Sequence, residues 1–330
     1  MEKISSVDRV VGNISEAEKE QILRDKGERF DDQNFEDLSG KEREKTASEL
    51  EIISLVNIAT NELRQRYGLD DFDIPPENIH VISEESWPRE KSTAFFNSML
   101  QGVAMREKMS NTSFMKTLFH EMIHFKSYSA VQITTEDDSE LIEYRVGLTV
   151  HTRDGKKIYF VNLNEAVTEE MTIRFAKNLL NHHLFSDEIA QTRSVMARYQ
   201  GAVTDSEKPL FDEDTFYAEA MSKKTWRESV DRFFGRRVFG SGVTKIATES
   251  FTYKTERKIL NMLIDKIFER NLEKFKDRED VFEIFAKGMM TGDILPIGRL
   301  VEGTFGKGTL RSISELDHDV NTQEEFVKSL

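Results

Sequence analysis

The stretch FHEMIHF, residues 119 to 125, sets two histidines four positions apart with a glutamate directly after the first. On a helix, positions i and i+4 share a face with their Cβ atoms about 6 Å apart. A helix here therefore aims two imidazoles at one point, and the fold must bury the rest of that helix while leaving this point reachable. The flanking sequence supports the helix. Phe114, Leu118, Met122 and Phe125 form an apolar stripe through SNTSFMKTLFHEMIHFKSYS, and Ser110, Asn111 or Thr112 is available as N-cap. His120 and His124 can hold one zinc ion at the usual ~2.0–2.1 Å. Glu121 lies about 100° round the helix, off line for that ion but within reach of a water on it, where a general base belongs.

The competing reading is an amphipathic helix with two imidazoles on its polar face. With seven histidines in the chain, a chance HExxH has odds on the order of one in a hundred, so a third ligand has to decide. Cysteine cannot supply it, because the chain has none, which also excludes disulfides and thiol nucleophiles. NEAVTEEM, some 40 residues on, offers Glu165 at the start of an expected helix. Glu165 and Glu169 are again four apart and share a face. One can ligate the metal while the other accepts a hydrogen bond from a ligating imidazole and fixes its tautomer. Alone, such a pair is ordinary solvated surface; behind an HExxH it becomes specific.

HEMIH followed by NEAVTE resembles the gluzincin metallopeptidases, the thermolysin-like clan, whose second motif reads Asn-Glu-x-x-(Ser/Thr)-(Asp/Glu). The resemblance implies that His120, His124 and Glu165 are zinc ligands, Glu121 the general base, and Glu169 the carboxylate behind a ligating histidine. Asn164 matches the motif asparagine. The likeness covers residues 110 to 180, and more loosely the strands before them, but not the C-terminal third. The spacing between the motifs is longer than in thermolysin, with a hairpin filling the gap, which places the chain nearer the small intracellular members. Sites of this kind add a tyrosine or histidine for the oxyanion. Tyr253, Tyr199, His182 and His183 are the candidates, Tyr253 first.

The remaining patterning sets the frame. Residues 1–44 are charged and sparse in apolar positions, so a flexible or loosely helical lead-in is expected. Residues 45–200 are expected to form a zincin-like α+β core: a small twisted sheet against the motif helix, with the glutamate helix behind it. Residues 201–330 are expected to be mostly helical, divided at GAVTDSEKP, GRRVFGSGVTK and TGDILPIG. A strand is expected through Ile79, Val81 and Ile82, and another over FFNSMLQGVAMREK with Gly102 as a bulge. A hairpin is expected around Asp154-Gly155, and a loop at TTEDDSE. His80 and His151 read as ordinary strand residues, and Met99, Met105, Met109, Met115 and Met122 as core filler.

Net charge of −14 argues against nucleic acid and anionic membrane surfaces as partners. No run of about 18 apolar residues or secretory leader is apparent, so a cytoplasmic location is expected. The expected function is zinc-dependent peptide hydrolysis, with Glu121 taking the proton of the attacking water. The rivals are a regulatory or binding protein that keeps the zinc fold with little or highly selective turnover, its C-terminal helices binding a partner, and hydrolysis of a non-peptide amide.

Overall fold

The computed structural model describes residues 5–32, 40–87, 92–108, 110–134, 140–179, 182–202, 209–221, 237–239 and 245–330. The chain enters through strand β1 (Arg9–Val11) and helix α1 (Glu16–Asp32). The lead-in, expected to be flexible or loosely helical, contains this helix and also a strand that pairs in parallel with a later one, Arg9 opposite Ala130. Few apolar residues suffice because strand pairing satisfies the backbone, and Val7 and Val10 pack against Val131. Helix α2 (Ala47–Arg66) begins with a capping box between Thr46 and Glu49 and stops at Tyr67, with Gly68 following at φ +75°.

Strands β2 (Ile79–Ile82), β3 (Ala94–Asn97) and β4 (Gly102–Arg106) make a sheet of order β2-β4-β3. Where one strand bulged at Gly102 was expected, the chain makes two antiparallel strands, Phe96 opposite Val103. Gln101, in the left-handed region at φ +57°, turns the chain there and is fully buried. β3 is left as an edge strand.

Helix α3 (Asn111–Lys126) carries the motif. Of the three candidate caps it uses Ser110, whose hydroxyl accepts from the Ser113 N–H. The N–H groups of Asn111 and Thr112 donate to Glu188 at 2.8 Å each, so a carboxylate also compensates the positive helix end. The other strands of the first half are β5 (Ser129–Ile133), β6 (Leu141–Val146), β7 (Thr149–His151) and β8 (Ile158–Tyr159). They join β1 in a five-stranded sheet of order β1-β5-β6-β7-β8. β7 and β8 are the hairpin expected around Asp154-Gly155, with Gly155 at φ +70°. Most of the expected TTEDDSE loop, and Met109, lie outside the described residues.

Helices α4 (Val161–Asn178) and α5 (Ser186–Arg198) follow. The region beyond, expected to be mostly helical, carries a sheet as well as helices. Strands β9 (Thr215–Met221), β10 (Arg237–Phe239) and β11 (Lys245–Ser250) form a third sheet of order β10-β11-β9. Parts of the expected dividers at GAVTDSEKP and GRRVFGSGVTK lie outside the described residues. Helices α6 (Lys254–Glu269), α7 (Arg278–Thr291), α8 (Leu295–Phe305), α9 (Thr309–Glu315) and α10 (Val320–Ser329) complete an α+β chain.

One hydrophobic cluster extends from Phe30 to Val327, and α3 runs through it. Phe114, Leu118, Phe119, Met122, Ile123 and Phe125 are all buried, each worth about 1.5–3 kcal/mol of transfer free energy. Met105 and Met115 are buried in the same cluster, as core-filling methionines would be. Such burial fixes the rotation of α3 and so the direction in which its histidines point. Among the described residues no helix is long and apolar enough to cross a membrane.

Candidate metal centre

α3 and α4 pack together, and the contact brings His120, His124 and Glu165 to one point. His120 Nε2 lies 3.2 Å from His124 Nε2 and 3.2 Å from a Glu165 carboxylate oxygen. His124 Nε2 lies 3.5 Å from the other oxygen of Glu165. Donors held ~2.0–2.1 Å from a tetrahedral ion stand about 3.3–3.4 Å apart, so the three could hold one ion with little movement. Among the described residues these three are the group able to do so.

The His120 imidazole is held from behind. Glu169, fully buried, takes His120 Nδ1 at 2.8 Å, which turns Nε2 toward the shared point. The same carboxylate pairs with Lys116 at 2.9 Å and accepts from the N–H and hydroxyl of Thr252 at 2.6 and 2.9 Å. Asn164, whose role the sequence left open, has its amide nitrogen 3.3 Å from Nδ1 of His124. Its Oδ1 accepts from the Leu148 N–H at 2.8 Å, anchoring it to the β6–β7 turn.

Charge accounts for the ionisation states. Burial opposes a charge on His120, but the Glu165 and Glu169 carboxylates outweigh it and push its pKa up to about 10. Burial likewise opposes ionisation of Glu165, yet His124 and His120 hold it well below the ordinary carboxylate range. For Glu169, Lys116 and His120 overcome burial in the same direction. Glu121 differs: burial dominates, reinforced by Glu165, and its pKa is raised despite the two histidines. One Glu121 oxygen accepts from the Phe96 N–H of β3 at 2.9 Å. That N–H points off the sheet edge, so the edge strand is pinned to α3 beside the donor cluster.

The oxyanion candidates separate cleanly. Tyr253 stacks on the His120 ring, centroids 5.6 Å apart and planes within 11°. Burial raises its pKa, and the charges of Glu165 and Glu121 and a hydrogen bond to Glu165 raise it further, so the phenol keeps its proton. Tyr253 is still 38% exposed, which leaves its ring open to a ligand. Tyr199 packs elsewhere, against the Val195 and Leu210 cluster. His183 pairs with Glu51, and His182 lies against Phe185 with the rings tilted by 44°. His80 pairs with Glu42 in β2, and His151 lies beside Glu143 on neighbouring strands.

Sequence reasoning missed Lys116 and Thr252, and the anchoring of Glu121 by β3. Lys116 precedes His120 by four positions, on the same face of α3, and that spacing was a usable signal. Thr252 gave none, since only the path of the chain from β11 into α6 brings it to Glu169. No protein-family model, curated protein or solved structure matches the chain.

Proposed function

We propose that the chain is a zinc-dependent hydrolase acting on peptide bonds, with a zincin-like core in which β3 lies beside α3 and α4 stands behind it. The observation that carries this reading is the cluster of donors from His120, His124 and Glu165, in which His120 Nε2 is 3.2 Å from His124 Nε2 and from one Glu165 oxygen, and His124 Nε2 is 3.5 Å from the other. Two imidazoles and a carboxylate leave one position of a tetrahedral site open. A zinc ion there would supply Lewis acidity and lower the pKa of a water toward ~7.

The other steps belong to side chains of the chain. Glu121, half-buried and with a raised pKa, is suited to take a proton and pass it to a leaving amine. Its hydrogen bond to Phe96 fixes one oxygen and leaves the other to work. Tyr253 retains its proton and can donate a hydrogen bond to an oxygen that becomes negative. A purely structural ion would need no base beside it, and this favours turnover over a regulatory role.

The test joins metal content to activity. The purified protein is expected to carry one zinc per chain by elemental analysis and to cleave peptides from a proteome digest until chelated. Glu121→Gln is expected to keep the zinc and lose at least about 10²-fold in rate. A protein that folds and never takes up zinc sinks the reading. A biological effect that survives Glu121→Gln would transfer the role to binding.

A further inference from the structure

We propose that Glu143, supported by Ser98 and His151, is a subsite for a cationic group of the substrate. The inference rests on the hydrolase reading above and adds a substrate class to it.

Glu143 lies on β6, and one of its oxygens accepts from the Ser98 hydroxyl at 2.6 Å. Ser98 follows β3 immediately and is two residues beyond Phe96, whose N–H holds the proposed base Glu121. Two residues span at most about 7 Å, so the same short stretch of chain touches both carboxylates, by the Phe96 N–H and the Ser98 hydroxyl. A chain laid along this edge with its reacting carbonyl near Glu121 would carry a neighbouring side chain, or its terminal amine, toward Glu143.

The carboxylate has capacity to spare. Its second oxygen is 3.6 Å from His151 Nε2, beyond hydrogen-bond length, and the two side chains are 30% and 19% exposed. An ionised carboxylate has about four acceptor positions, and Ser98 fills one. Burial opposes its charge, but His151 and Ser98 hold its pKa below the ordinary value, and the field of His124 also reaches it. Ser98 itself is 2% exposed, so this support is part of the interior rather than a surface accident. The net charge of −14 acts in the same sense, drawing cations toward the molecule.

The chemistry named is a guanidinium or ammonium group, and it has two sources: a basic side chain or a free N-terminus. The purified protein is titrated with N-acetyl-arginine amide, its neutral isostere N-acetyl-citrulline amide, and glycinamide, while the His151 ring C–H resonances are followed by NMR. A saturable shift with a cationic probe, about tenfold tighter or more than with citrulline, is expected. Glu143→Gln should reduce that affinity to the citrulline level. Response to N-acetyl-arginine amide assigns the subsite to a side chain, and response to glycinamide alone assigns it to the terminal amine. Equal affinity for the arginine and citrulline probes together with no glycinamide response overturns the proposal, as does a preference that Glu143→Gln retains. The probes need no turnover, so absent zinc-dependent hydrolysis would refute the function without altering this titration, and the citrulline comparison decides even if the variant does not fold.

Discussion

Tyr253 is held at φ +51°, in the left-handed region that a bulky side chain occupies only under constraint. The constraint is visible one residue earlier, where Thr252 gives both its N–H and its hydroxyl to Glu169. Arg257 donates to the Thr252 carbonyl at 3.3 Å from the other side. Glu169 therefore does two things, orienting His120 and latching the turn that presents Tyr253. If the phenol donates to an oxygen that gains charge during reaction, its loss should appear in turnover rather than in substrate binding. Tyr253→Phe is expected to keep one zinc per chain and to lower kcat by about 10²-fold with little change in KM. A rise in KM at unchanged kcat would make Tyr253 a mere contact. The position of Tyr253 beside the cluster was partly legible, since it stood at an expected helix start. Its latch was not, because Glu169 and Thr252 are 83 residues apart.

The elements that carry the cluster differ in how openly the sequence announced them. α3 declared itself through its apolar stripe and cap, and β7–β8 through Asp154-Gly155. The turn between β6 and β7 did not, although the site depends on it. Gly147 sits there at φ +56°, and a Cβ on it would come within 2.4 Å of Asn164 Oδ1 and 2.9 Å of Met289 Cγ. Asn164 is the residue that faces His124, so crowding at the turn is transmitted to a proposed ligand. Gly147→Ala is expected to cost about 2–4 kcal/mol, from the left-handed backbone and the clash together. It should weaken zinc binding as well, read by competition with a chromogenic chelator beside a thermal melt. A destabilised variant with native zinc affinity would show that the turn supports the fold but not the site. The third sheet was illegible for another reason: β9 pairs with β11, which begins 24 residues after β9 ends. No local pattern encodes such a pairing.

At the scale of the whole molecule, the division expected near residue 200 is bridged by contacts that only the folded chain reveals. α4 and α6 pack together, and Glu170 on the first receives Arg257 and Asn261 from the second at 3.2 and 3.0 Å. The core that results encloses an amine. Lys126 at the end of α3 is fully buried, donating to Asn61 Oδ1 at 2.8 Å and the Asn57 carbonyl at 3.3 Å. Burial pushes its pKa down to about 7 from 10.5, against the pull of Asp73 and with Arg64 adding to the shift. Below pH 7 both folded and unfolded chains carry this proton, and the folded state bears the full cost of the buried charge. Between about pH 7 and 10.5 the unfolded chain binds the proton more than the folded one does, so stability rises with pH there. The slope from this single group is on the order of 1 kcal/mol per pH unit. Lys126→Met removes the group, together with its two hydrogen bonds, a loss that does not vary with pH. The stability difference between variant and native protein, from urea unfolding at pH 6, 7, 8 and 9, should therefore favour the variant most at pH 6 and shift steadily toward the native protein above pH 7. A difference flat across that range would mean that Lys126 is solvated well enough to keep its ordinary pKa, and that the interior around the end of α3 admits water.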